Sequence, residues 1–396
     1  MENKKLVLKI CCSEWKNASH DKRELSVCKE LGADVIVVAK GNINDKGRKD
    51  KVDGFDVRRC STRPLGTRIP NFVNRVISIF TWANYVRKIN ASIISGHDLS
   101  GLSIGWISNW FKKKDTRALL IYDSHEFEIG RNSNRGMLKI KLIKYWERFL
   151  IKKCVFSIMV NDSIADEVQR IHNLKERPIV VRNIPDEWII DEEICKSTRR
   201  MMIEELFKCK VQTILIYHGV ICNGRGIEDL IKVVSKFSDY GLMVLGNANS
   251  DYYKDVLVSL ACEYNVNDRV YFHKAVDANQ LWKYIGAADY SMVNISPITK
   301  SYFYALPNKF FEALQSETPI IASDLPEMKR LVEKYNIGVI CKADDVDALY
   351  SAFLSLPVNG KEYNEIKQNI KIAKKELCWK NEKKVLERKY KEIICE

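Results

Sequence analysis

The stretch TILIYHGVICNGRGIEDLIKVVSKF (213–237) decides how this chain is read. It opens on a run of β-branched and apolar residues without the alternation of a half-exposed strand, so the strand it forms is buried on both faces. Gly219, Gly224 and Gly226 then punctuate a tight turn, and IEDLIKVVSKF continues as a helix. Strand, glycine turn and helix make up the repeating unit of a parallel sheet covered by helices.

The same unit recurs in both directions. GLMVLGN (241–247), RVYFHKA (269–275), YSMVNIS (290–296), TPIIASD (318–324) and GVICKA (338–343) are strand-like, with helical segments between them such as 308–316. Upstream, LVLKICC (6–12), ADVIVVAK (33–40), FDVRRC (55–60), ASIISGHD (91–98), ALLIYDSHE (118–126) and VFSIMVND (155–162) repeat the scheme. NIPDEWIIDEEICKSTRRMMIEE (183–205) breaks it and reads as a linker. The expected fold class is α/β, with two Rossmann-like doubly wound domains facing a cleft, one over 1–190 and one over 191–375. The tail is helical from about 361 to 394, and its last part, 376–396, either packs back on the first domain or finishes the second.

Charge separates the two halves. The net charge of +13 falls wholly on residues 1–190, with 35 Lys and Arg against 22 Asp and Glu, whereas residues 191–396 carry 29 of each. An electropositive domain attracts nucleic acid, an acidic membrane leaflet or a phosphorylated substrate. No helix-turn-helix, RNA-recognition signature or zinc finger is present, so nucleic acid is not expected as a partner. Segments 68–88 and 136–153 mix aromatic and aliphatic residues with Lys and Arg; each suits either an anionic lipid surface or a core helix with a solvated basic face. The start of the chain does not read as a secretory signal, and no stretch is long and apolar enough to span a membrane. The twelve scattered cysteines fit reduced thiols, so the expected location is the cytoplasm, with the inner face of a membrane as the place of contact.

Two motifs carry chemistry. In the turn, free N–H groups at the head of a helix favour an anion, and Arg225 adds a cation with bidentate capacity for phosphate. The bland alternative is an ordinary turn with a solvated arginine. In ALPNKFFEAL (305–314), Pro307 and Asn308 read as a helix start with Asn308 as its cap. Lys309 then falls in the first turn, where a cation opposes the helix dipole unless an anion lies close by. Glu312, one turn on, is placed to accept hydrogen bonds from sugar hydroxyls. Asp344, Asp345 and Asp347 look like a metal clamp but precede the helical DALYSAFL, so capping explains them. No metal is expected.

The segment ALPNKFFEALQSETPIIASDLPEMKRLV resembles the donor-site region of glycosyltransferase family 4, whose fold is GT-B, and GVICNGRGIEDLI resembles the family's first loop in its second domain. The resemblance implies a nucleotide-sugar donor held by Gly219, Gly224, Gly226, Leu306, Asn308 and Glu312, with Arg225 and Lys309 on the diphosphate and Glu312 on the ribose. Two positions depart from the family's pattern. Val220 stands where Arg is frequent, and Tyr304 stands where a first glutamate is usual, as in a subgroup with LPNKxFE.

In the first half, SHDKRE (19–24), SGHDLSGLSIG (95–105) and IYDSHEFEIG (121–130) resemble motifs of bacterial surface-polysaccharide enzymes. This implies that His125 approaches the donor sugar from across the cleft, and that Asp21, Arg23, His97, Asp98 and Glu126 line the acceptor side. A histidine at a strand end is also commonly a hydrogen-bonded core residue. The function so implied is transfer of a sugar to a glycan or lipid-linked acceptor, retaining its anomeric configuration and needing no cofactor. A weakened assembly partner at the membrane and a sugar-nucleotide epimerase are the alternatives.

Overall fold

The computed structural model describes residues 4–15, 18–131 and 136–395. The chain divides into two units, residues 1–182 together with 382–396, and residues 183–381.

The first unit is built on an eight-stranded sheet among the described residues: β1 (Leu6–Cys11), β2 (Asp34–Gly41), β3 (Lys46–Val52), β4 (Phe55–Ser61), β5 (Ile93–His97), β6 (Leu119–Ser124), β7 (Phe156–Met159) and β8 (Ile179–Val180). Their order is β3-β4-β2-β1-β5-β6-β7-β8. Every neighbouring pair is parallel except β3 with β4. The central strands are almost wholly buried, as a sheet covered on both faces demands. Helices α1 (Ser19–Glu30), α2 (Asn71–Arg87), α3 (Asp98–Trp110), α4 (Met137–Ile151) and α5 (Asp162–His172) connect them, and α3 packs against both α2 and α4.

The second unit carries a six-stranded, all-parallel sheet: β9 (Thr213–His218), β10 (Tyr240–Leu245), β11 (Val270–His273), β12 (Tyr290–Val293), β13 (Ile320–Ser323) and β14 (Gly338–Cys341), ordered β11-β10-β9-β12-β13-β14. The order reverses at β9, where a doubly wound sheet opens a crevice at its carboxyl edge. Its helices are α6 (Glu192–Met201), α7 (Ile227–Val234), α8 (Asp251–Glu263), α9 (Leu281–Gly286), α10 (Lys300–Phe303), α11 (Asn308–Gln315), α12 (Pro326–Tyr335), α13 (Val346–Ser355) and α14 (Lys361–Glu376). One apolar core joins Ile214, Leu215 and Ile216 of β9 to Ile227 and Leu230 of α7 and to Phe310 and Phe311 of α11.

The helical tail is broken at 377–378 into α14 and α15 (Trp379–Ile394). From Glu382 onward α15 belongs to the first unit. There Tyr390 is fully buried, its hydroxyl donating to Glu24 of α1 and its ring set edge-on against Phe156 of β7. Glu382 holds Arg182 by its main-chain N–H at 2.8 Å and its guanidinium at 2.7 Å.

Candidate functional site

In the second unit, the site is assembled where β9 ends and α7 and α11 begin. Gly219 and Gly224 have φ of 119° and 79°, and Gly226, at 67°, caps α7 in the left-handed region. A Cβ on Gly226 would lie 2.7 Å from Cβ of Asn294, so both the backbone angle and the packing demand glycine. Asn308 is not the cap of α11. Pro307 occupies that position, and Asn308 is the first helical residue, exposed and making no side-chain cap bond. The extended conformation of Pro307, with ψ of 154°, ends the preceding segment and starts the helix one residue earlier than the motif suggests.

Lys309 occupies the second position of α11 and is buried, with Nζ 4.3 Å from the centre of the Tyr217 ring. Among the described residues that nitrogen has no hydrogen-bond partner. Burial, reinforced by the neighbouring Arg225, lowers the Lys309 pKa to about 7. Arg225 is half-buried, lies 4.9 Å from the centre of the Tyr302 ring and reaches the Tyr302 hydroxyl at 3.4 Å. Two cations thus converge on one edge of the sheet, steadied by aromatic rings rather than by carboxylates. Glu312 lies beside them, with Oε2 3.1 Å from His218 Nε2. Leu306 and Tyr304 are half-buried between α10 and α11, with the Lys300 ammonium 5.9 Å from the Tyr304 ring. Val220, beside Gly219, is exposed. Arg225, far in sequence from Lys309 and Glu312, is therefore brought beside them. Tyr217, His218 and Tyr302 complete the site; the motif reading passed over them, although Tyr217 and His218 stand inside the opening stretch. Asp345 caps α13, accepting from the Ala348 N–H at 2.9 Å.

The first unit gathers a second cluster at the carboxyl ends of β1, β5 and β6. Lys9, in the middle of β1 and fully buried, holds Asp123 at 2.5 Å, Glu24 at 2.5 Å, Asp21 at 2.9 Å and Ser95 Oγ at 3.2 Å. Burial pulls its ammonium down, but Asp123, Asp21 and Glu24 outweigh burial and leave the pKa well above lysine's ordinary value. Asp21 and Asp123 are held well below the carboxylate range; burial opposes this, and Lys9 and the surrounding imidazoles prevail. Each carboxylate in turn orients a histidine. His97 Nδ1 lies 2.9 Å from Asp21, and His125 Nε2 lies 3.0 Å from Asp123. The two rings are 4.0 Å apart, and His20 meets His125 edge-on at 4.5 Å. Burial depresses the His97 imidazole, but Asp21 overrides it and raises the pKa above its ordinary value.

His97 and His125 are therefore together and partly open, whereas Asp21 lies wholly behind them. Asp98, at φ 54°, receives the His125 main-chain N–H at 3.1 Å. Glu126 is tied to Arg131 at 2.5 Å, and Arg131 also reaches Asp98 at 3.2 Å. Arg23 is half-buried on α1. Among the described residues, Asp21, His97, Asp123 and His125 offer donor atoms of metal-ligand type within 4.8 Å of one another. Their two carboxylates are already bridged by Lys9, which supplies the positive charge at that point.

Residues 199–373, most of the second unit, match the family model described as glycosyl transferases group 1. No curated protein sequence matches the chain. Among solved structures, sucrose-phosphate synthase from Thermosynechococcus elongatus superposes with a TM-score of 0.76 at 17% identity, covering 99% of this chain and 100% of that one. A glycosyltransferase from Rickettsia africae gives 0.73 at 12%, covering 99% of each chain. Alr3699/HepE of Anabaena in complex with UDP gives the same values. At these identities the likeness establishes the fold, which is GT-B: two Rossmann-like units in one chain.

Proposed function

We propose that this chain moves a sugar from a nucleotide-diphosphate donor to a hydroxyl of a glycan or lipid-linked acceptor, with retention of anomeric configuration, in the making of a polysaccharide or glycoconjugate. The observation that carries the reading is Lys309: a buried ammonium without a hydrogen-bond partner, beside Arg225, at the head of a helix in a group 1 glycosyl transferase domain. A buried unpaired cation is unfavourable, and a diphosphate seated there would relieve it.

The bond from the sugar's anomeric carbon to the diphosphate oxygen breaks, and its electron pair leaves with the diphosphate. Arg225, Lys309 and the first N–H groups of α11 neutralise that charge as it develops. The acceptor oxygen bonds to the anomeric carbon on the same face, and its proton passes to the departing phosphate oxygen. Glu312, aligned by His218, accepts hydrogen bonds from the ribose. In the first unit, the imidazoles of His97 and His125, each backed by an aspartate, are placed to donate to sugar hydroxyls. The reaction so written needs neither metal nor cofactor.

Thermal shift against UDP, GDP, ADP and dTDP finds the base, since a ligand that binds only the native state raises its stability. UDP is the first to try, because the similarly folded Anabaena protein is seen in complex with UDP and with UDP-glucose. Incubation with the corresponding sugar nucleotides should then release nucleotide slowly without acceptor, and Arg225→Ala and Lys309→Ala should abolish that release. Failure of every nucleotide to bind would end the reading. An altered free sugar, formed without dependence on any acceptor, would replace it with an epimerase.

A further inference from the structure

We infer that the outer face of α4, with the end of α3, docks in the plane of an anionic phospholipid surface. The inference stands independently of the proposed transfer reaction, because it uses none of the residues of either cluster.

On α4, Leu138, Leu142, Tyr145 and Phe149 follow one another at four, three and four residues, which places them on a single stripe. All four are exposed, Leu138 by 74%. A stripe at this spacing ordinarily faces a core. Here it faces solvent, because α4 is anchored through other positions. Glu147 is buried and accepts from the Tyr122 hydroxyl at 2.8 Å while pairing with His172 at 3.1 Å. Leu150 and Ile151 close the inner side.

The stripe continues onto α3 through rings. Trp106 touches Trp146 at 5.5 Å, Phe149 at 5.2 Å and Trp110 at 5.0 Å, and Trp110 stacks on Phe111 at 6.3 Å. Trp110 and Phe111 are each more than three-fifths exposed. The result is one continuous aromatic and aliphatic surface across two helices, of the kind a monomer in water rarely shows without a partner.

Charge says which partner. Residues 136–153 hold five lysines and one arginine against a single carboxylate, and that carboxylate, Glu147, is turned inward. Among the described residues, none of Lys139, Lys141, Lys144, Lys152 and Lys153 is paired with an acid, and Lys153 leans over the Phe149 ring at 5.0 Å. By helical position, Lys139 and Lys153 flank the stripe on one side and Lys141 and Lys152 on the other. An apolar stripe between two rows of lysine matches a bilayer interface: the apolar groups enter the headgroup boundary while the ammonium groups reach up to lipid phosphates. A second copy of the chain fits poorly, because a symmetric interface would set one basic surface against the other. No described helix is long and apolar enough to cross a membrane, so the contact would be a lateral one. α2 also exposes Phe72, Val76 and Phe80, but no ring contact joins them to this surface among the described residues.

The test is co-sedimentation of the full chain, without nucleotide, with vesicles of pure phosphatidylcholine and with vesicles containing one third phosphatidylglycerol. Binding to the second and not the first is expected, with a blue shift of tryptophan emission and loss at 0.5 M salt. Each lysine near such a surface contributes about fivefold in affinity, so Lys139→Glu with Lys141→Glu should weaken binding by roughly a hundredfold or more. Leu138→Ser with Leu142→Ser, at exposed positions that the fold does not use, should abolish the emission shift. Both double variants should keep the wild-type melting temperature and any nucleotide-induced thermal shift, which separates loss of docking from damage to the donor site. Equal binding to neutral vesicles, no binding at low salt, or a dimer in solution dispersed by Leu142→Ser would each overturn the inference.

Discussion

Lys309→Met should make the ligand-free protein more stable while destroying its capacity for nucleotide. The Lys309 pKa stands at about 7 against an ordinary 10.5, burial being the main cause and Arg225 the second. At about 1.36 kcal/mol per pH unit, that difference amounts to about 5 kcal/mol of folding free energy set against the native state. Methionine is close in volume and needs no solvation, but it forgoes the interaction with the Tyr217 ring, worth about 1–2 kcal/mol when desolvated. The net gain is then about 3 kcal/mol, or roughly 6–12 °C in Tm for a domain of this size. The sign depends on pH. Because the folded-state pKa lies below the unfolded one, protonation favours the unfolded chain. The penalty is complete below pH 7 and fades by about 1.36 kcal/mol per unit as the pH rises toward 10.5. Urea unfolding at pH 6.5 and pH 9 should therefore find the variant ahead at both, with the lysine's penalty falling from about 5 kcal/mol at the lower pH to about 2 kcal/mol at the higher. Titration calorimetry with UDP at pH 8, in buffers of different ionisation enthalpy, should show the wild type taking up about 0.9 proton on binding and the variant giving no binding heat. Parallel stability curves for the two proteins, or a variant less stable at pH 6.5, would refute the account of Lys309 as an uncompensated cation awaiting a diphosphate.

Glu312→Ala removes a charged acceptor and should weaken UDP binding by about 10- to 100-fold in calorimetry, with little change in Tm, since the carboxylate is partly exposed. Lys9→Met leaves Asp21, Glu24 and Asp123 without their shared cation and should cost about 3–5 kcal/mol of stability by denaturant unfolding. In the wild type, the stability contributed by Asp21 and Asp123, whose pKa values are depressed, is present above the ordinary carboxylate range and drains away as the pH falls toward their folded-state values. Acid unfolding followed by tryptophan fluorescence should accordingly begin below about pH 4. Tyr390→Phe should raise hydrogen exchange in α1 but not in β7, because it unfastens Glu24 while leaving the edge-on contact with Phe156.

The buried strands were legible because their residue types serve a single purpose. Each of the six strand-like runs of the second half became a strand of the parallel sheet, as did the six of the first half. β3, KGRKDKV, left no such trace. It is an antiparallel edge strand whose charges face solvent, and charge on an edge discourages pairing with other chains while erasing the apolar signature. The two halves of the second unit's cluster were visible as separate motifs, but their meeting is a property of the fold. Tyr302, ninety-odd residues before the chain's end and seventy-seven from Arg225, carries no local sign that it stacks there. Lys9 did carry a sign: a lysine inside LVLKIC must find acid partners if the strand is central, which predicts a buried cluster without naming its members. Asn308 shows the opposite failure. Its residue type favours a cap, but Pro307 before it already supplies the extended geometry that begins the helix.

The tail has a consequence for the way the molecule comes into being. Residues 1–182 leave the ribosome first, yet their fold includes residues 382–396, and Glu24, bound to Lys9 in the interior, receives its hydroxyl partner from Tyr390. The earlier unit to be synthesised is thus the later one to be finished, and it must wait through the translation of 199 intervening residues. At about 5–20 residues per second, this leaves roughly 10–40 seconds in which the basic, aromatic-rich first unit exists without its last helix. Residues 382–396 act as a clasp, and a chain released short of them would carry a finished second unit and an unclosed first one.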